Sequence, residues 1–115
     1  MANTFKVITK AGVTSADVIY TVAGSTTTVI LGLILGNTTS SSINATVTLG
    51  TDTGNRSGAN NEANQDVELI TTTPIPGNSS LELLAGNKVV METTDTLSVT
   101  GSGAVDVALS VMEIT

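Results

Sequence analysis

TTTVILGLILGN, Thr26–Asn37, is the stretch on which the fold turns. It contains an unbroken run, Val29–Leu35, of seven aliphatic or glycine residues in a chain with only ten acidic and four basic side chains. A helix that spans a bilayer requires about 20 apolar residues, so a run this short does not cross a membrane as a helix. Threonines lead into it, β-branched residues and leucine fill it, and Gly36-Asn37 closes it with a turn signal. Those features mark a β-strand. Because both faces are apolar, the pattern predicts a central strand covered on both sides.

Neighbouring segments carry strand signals of the half-buried kind. INATVTLG places Ile43, Ala45, Val47 and Leu49 on one face and Asn44, Thr46 and Thr48 on the other. The same period of two returns at Leu97 and Val99, and at Val105, Val107, Leu109 and Val111. Further strands are predicted at Thr4–Thr9, Asp17–Val22, Asp66–Thr72, Ser80–Leu84 and Lys88–Glu92, separated by Gly-, Pro-, Asn- and Ser-rich turns. Pro74 and Pro76 withhold ladder donors, and Gly77-Asn78 allows a tight turn. LELLAGNKVVME holds helix formers, yet Gly86-Asn87 at its centre favours a hairpin. About eight or nine short strands with regular turn signals predict one all-β domain, an antiparallel β-sandwich of jelly-roll or immunoglobulin-like type.

Composition narrows the chemistry. At 115 residues the chain fits one domain, with an aliphatic core, since Phe5 and Tyr20 are its only aromatics. There is no cysteine and no histidine, which removes disulfides, thiolate metal sites, Ser-His-Asp and Cys-His catalysis, and the most frequent metal ligand. A net charge of −6 repels phosphate, so nucleic acid is not expected as a partner. The N-terminus has no long apolar segment after a basic one, so no cleaved secretory signal is expected. Weak charge over much Thr and Ser suits extended contact between like subunits.

Carboxylates are the remaining chemical candidates. A glycosidase-type pair is conceivable among Glu68, Glu82, Glu92, Asp95 and Asp106. In DVE, LELL and VDV, however, they take the alternate strand positions that face water, and two aromatics are too few to build a sugar platform. DTGNRSG, Asp52–Gly58, suggests a calcium loop but has Gly54 and Arg56 where ligands are needed. Glu62 and Asp66 are left as a pair that could hold an ion between subunits. GSG at 101–103 is an ordinary turn, and the N-x-[ST] triplets at Asn37, Asn44 and Asn78 follow from a Thr- and Ser-rich composition. No cofactor and no metal site are predicted. TDTGNRSGANNEANQ, Thr51–Gln65, reads as a long exposed polar loop, either mobile or engaged by a neighbouring subunit.

TTTPIPGNSSLELLAGNKVVMETTDTLSVTGSGAVDVALSVMEIT, Thr71–Thr115, resembles a group of small virion structural proteins of tailed bacteriophages, including those of cyanobacteria. The similarity rests on the order strand, Pro-x-Pro-Gly turn, LELL, GNKVVMETTDTLSV and a long terminal strand ending in VMEIT. MANTFKVITKAGVTSADVIYTVAGSTTTVILGLILGN, residues 1–37, is similar as well, and only the loop Thr51–Gln65 stands clearly outside. These are framework motifs of strands and turns. The resemblance implies a non-enzymatic building block made in the host cytoplasm and carried on the capsid surface. As a decoration or cement protein, a homotrimer, it would clamp neighbouring copies of the major capsid protein. The alternative is a neck, tail or fibre component that contacts the host. A third reading, a small hydrolase, would rest on Glu68, Glu82, Glu92 or Asp106. Candidate partner contacts lie in a short N-terminal arm, residues 1–10, through Phe5 and Lys6, and in the loop, through Asp52, Asn55, Arg56, Asn60, Asn61 and Glu62.

Overall fold

The computed structural model describes residues 2–51, 65–84 and 88–115. Within them the chain forms nine strands: β1 (Asn3–Val13), β2 (Asp17–Thr21), β3 (Thr27–Asn37), β4 (Ile43–Gly50), β5 (Asp66–Ile75), β6 (Ser79–Leu83), β7 (Val89–Met91), β8 (Thr96–Gly101) and β9 (Val105–Ile114). No helix occurs among the described residues, and every segment predicted as a strand is one.

The strands make two antiparallel sheets. One has the order β1-β9-β3-β6, with β7 also on β3, and the other the order β2-β8-β4-β5. The pairings β4–β5, β3–β6, β3–β7, β2–β8 and β1–β9 fold the chain in half about the β4–β5 connection and wind the double ribbon into two layers. That winding is a jelly roll, which decides between the two sandwich types predicted. Thr51 and Gln65 close the base of the connection: the Thr51 amide donates to the Gln65 carbonyl at 2.9 Å, and the Gln65 amide to Thr51 Oγ1 at 3.0 Å.

The alternating ladders fill the space between the layers. Ile43, Ala45 and Val47 of β4, Leu97 and Val99 of β8, and Val105, Val107, Leu109 and Val111 of β9 are all buried. Ile30, Leu33 and Leu35 of β3, with Ile75 and Met91, complete a continuous aliphatic core. Burying a branched or leucine side chain contributes about 1.5–3 kcal/mol, which makes this layer the main stabilising element.

β3 departs from the two-sided burial predicted for it. It is central in its sheet, between β9 and the β6 and β7 edge, but only one face enters the core. A register shift between Ile30 and Gly32 resets the alternation, and Ile34 points outward and is exposed. The hairpin predicted across Gly86-Asn87 is also corrected. β6 pairs with Leu33–Asn37 and β7 with Thr28–Ile30, so the two run one after the other along the same side of β3 and do not pair with each other. The residues 85–87 between them lie outside the described set.

A buried asparagine ties the turns at one end. Asn37 Nδ2 donates to the carbonyls of Ser41 (2.8 Å), Ile75 (2.9 Å) and Pro76 (3.2 Å), while its Oδ1 accepts from the amide and hydroxyl of Thr39. The β5–β6 turn approaches the β3–β4 loop so closely that a Cβ on Gly77 would fall 2.5 Å from the Ser40 carbonyl. Pro74 sits in β5, an edge strand, where a missing amide donor is tolerated.

Candidate interaction surface

β1 governs the accessible side of the molecule. Residues 1–10, expected as an arm, belong for the most part to this edge strand, which is laddered to β9 from Asn3↔Ile114 to Lys10↔Val107. Strand alternation divides its side chains by chemistry. Lys6 and Lys10 turn to the inner side of the sheet, where Lys6 Nζ meets Glu113 Oε1 on the neighbouring β9 at 2.9 Å and Lys10 Nζ meets Asp17 Oδ2 on β2 of the other sheet at 3.4 Å. Phe5 and Val7 turn outward and are 70% and 63% exposed.

Lys6 therefore joins a small polar cluster inside the rim. Tyr20 OH donates to Glu113 Oε2 at 2.5 Å, and with that proton committed Thr28 Oγ1 donates to the phenol at 2.7 Å. The Lys6 ammonium, and then the Tyr20 hydroxyl, hold the Glu113 carboxyl below the usual carboxylate range. Burial, reinforced by the Glu113 carboxylate, pushes the Tyr20 phenol up to about 12. Each group satisfies another, so the cluster closes one end of the sandwich without presenting a free nucleophile or base.

The carboxylates considered for catalysis are dispersed. Glu68 on β5 accepts from Thr71 Oγ1 at 2.6 Å, Glu82 stands exposed on β6, and Asp106 on β9 accepts the Gly12 amide at 2.9 Å. Asp95 is fully buried in the β7–β8 turn, where Oδ2 accepts the Glu92 amide at 3.0 Å. No group of three or more acidic side chains able to hold a metal ion forms among the described residues. Asp52, Asn55, Arg56, Asn60, Asn61 and Glu62 lie outside the described residues, as does the Glu62 half of the ion pair suggested with Asp66.

What the structure brings together is apolar. Cross-strand partners share a face, so Phe5↔Met112, Met112↔Val29 and Val29↔Val90 form one row across β1, β9, β3 and β7 on the outside of the larger sheet. Val90 is 56% exposed, and Ile34, further along β3, is 46% exposed. Beside Ile34 lies an open depression of about 360 Å³, lined among others by Thr9, Ala11, Ile34, Gly36, Asp106 and Ala108. Of the six large hydrophobics exposed among the described residues, four (Phe5, Val7, Ile34 and Val90) belong to this face.

No protein-family model matches the chain, and no curated protein matches it. Among solved structures it is similar, at 15% identity and a TM-score of 0.49, to a chain from Bacillus endospore appendages, described as a novel family of disulfide-linked pili. The alignment covers 99% of this chain and 87% of that one. This chain has no cysteine and forms no such link.

Proposed function

We propose that the chain is a non-enzymatic structural subunit of a virion that decorates the capsid and stabilises it by clamping neighbouring capsid subunits. The observation that carries this reading is the apolar outer face of the larger sheet, displayed on a rigid two-layer frame. Contiguous exposed apolar surface marks protein–protein contact, and among the described residues the carboxylates form no cluster of three or more. The resemblance of residues 1–37 and 71–115 to phage structural proteins supports the virion setting, and jelly rolls serve in capsids.

Binding only the assembled shell would stabilise it by mass action. The test is a particle made without this protein. Such particles are expected to assemble and infect but to rupture at lower temperature, and adding purified protein restores their resistance. Equal heat resistance with and without the protein refutes the clamping role, and a dozen or fewer copies per particle assigns the subunit to neck, tail or fibre.

A further inference from the structure

The margins of the two sheets are not alike. β5 is interrupted by register shifts on either side of Val47, passes through a positive φ at Thr72 and holds Pro74. β2 has five residues and a register shift between Val18 and Tyr20. β6 and β7, of five and three residues, share one side of β3. Short strands, bulges and proline are the devices by which a sheet keeps further strands off its edge. β1 has none of them between Asn3 and Lys10, where its register on β9 runs unbroken over eight residues.

The ladder fixes which backbone groups this edge offers. Ala2 and Thr115 exchange both amide-to-carbonyl bonds, so they are a hydrogen-bonded pair. Such pairs alternate along an antiparallel ladder. Thr4, Lys6, Ile8 and Lys10 therefore direct their amides and carbonyls to β9, whereas Asn3, Phe5, Val7 and Thr9 direct theirs to the free side. None of these outward amides and carbonyls has a hydrogen-bond partner among the described residues. A regular row of backbone donors and acceptors is matched by one kind of ligand, another extended strand.

We propose that the free edge of β1 takes up an extended segment of a partner protein as an added antiparallel strand, with apolar residues beside Phe5 and Val7 and acidic residues beside Lys6 and Lys10. Lys6 decides against a second copy of this chain. Two β1 strands satisfy all their free groups only in the two-fold register that pairs Phe5 of each copy with Val7 of the other and Asn3 with Thr9. That register sets Lys6 directly opposite its own counterpart, in a pair of the closely approaching kind, where like charges are destabilising. β6 of another copy fits no better, because its outward side chains are Ser80 and Glu82, which would stand beside Phe5 and Val7.

An acidic residue opposite each lysine is attracted instead. Glu113 and Asp17 each engage one lysine, yet the two side chains remain 49% and 53% exposed, and an ammonium has three donors, so each can bind a second carboxylate. On the outer face, an apolar residue of the added strand lengthens the row through Phe5, Met112, Val29 and Val90 by one. The inference concerns the edge and the chemistry of its strand, and does not depend on the capsid role.

Titration of the isotope-labelled protein with a blocked peptide, Glu-Val-Thr-Ile-Glu-Val-Thr-Thr, followed by amide NMR, tests it. Run antiparallel, the peptide sets its glutamates opposite Lys10 and Lys6. Binding is expected below about 1 mM. The amides of Phe5, Val7 and Thr9 should shift more than those of Lys6 and Ile8, which stay bonded to β9. Replacing both glutamates by lysine is expected to weaken binding by about 10-fold, and Lys6→Gln should reduce that preference to about 3-fold. N-methylation of the peptide isoleucine, opposite Val7, removes a ladder donor without altering the protein and should abolish binding. Absence of shifts up to about 1 mM overturns the proposal. So do equal affinities for the glutamate and lysine peptides, undiminished binding of the methylated peptide, or shifts centred away from β1. A peptide of the chain's own residues 3–10 that binds as tightly as the glutamate peptide would give the edge to a second copy, and overturns the choice of partner.

Discussion

Replacing Asn37 by alanine tests whether the turns are held by a single side chain. Asn37 is 2% exposed and makes bonds to three carbonyls and to Thr39. Its contact with the Ile75 carbonyl is buried, whereas those with Ser41, Pro76 and Thr39 are only partly so. On truncation the partly buried groups regain water, and each lost bond costs about 0.5–1.5 kcal/mol, while the Ile75 carbonyl is stranded at about 1–3 kcal/mol. The expected loss is about 3 kcal/mol, a large fraction of the ~5–15 kcal/mol that holds a typical domain together. Equilibrium urea unfolding, followed by far-ultraviolet circular dichroism, should show the midpoint falling with an unchanged slope. Asn37→Asp should be at least as damaging at neutral pH, because a carboxylate would face three carbonyl oxygens with nothing to donate. A loss below about 1 kcal/mol for Asn37→Ala would mean that the turns hold themselves, and the reasoning would fail.

Three further outcomes follow from the same structure. Gly77→Ala should destabilise by about 1–3 kcal/mol, since its Cβ meets backbone at Ser40 that has no rotamer to yield; combined with Asn37→Ala the costs should not add, which a double-mutant cycle reads directly. Glu113 has a lowered pKa in the fold, so its contribution is present above the ordinary carboxylate range and is lost as pH falls through the folded value; Glu113→Gln should flatten that acid limb of the stability–pH curve. Tyr20 has a raised pKa, so its contribution is complete below about 10 and disappears as pH climbs to about 12; Tyr20→Phe should remove that alkaline loss in denaturation at pH 9, 10.5 and 12.

Where inner and outer faces differ in polarity, the strands could be read from their residues. β4, β8 and part of β9 alternate aliphatic residues with Thr, Ser, Asn or Asp, and Ile43, Ala45, Val47, Leu97, Val99, Val105, Val107, Leu109 and Val111 are core. β3 misled for a physical reason: an outward Ile34 looks the same in a sequence as a buried one, and two-sided apolarity signals burial against something without saying whether it belongs to the same chain. The interaction surface had a local signature in TFKVITK, whose odd positions Phe5 and Val7 are apolar and whose even positions Lys6 and Lys10 are charged. The row from Phe5 to Val90 joins residues from four strands, and only the register makes it visible. Asn37 was legible as a turn residue and Asp95 as a carboxylate, but their burial depends on a loop arriving from 38 positions away and on a turn closing over itself.

The pairing of the first strand with the last has a consequence for birth as well as for form. β9 lies between β1 and β3, so the larger sheet stays split until β9 has been made. Pairings this distant in sequence form slowly, and early strands wait unpartnered. Phe5, Met112 and Val29 come into line only when that last strand slots in, so the sticky row is created in the same event that completes the fold. Copies still under synthesis then have no finished patch with which to capture one another.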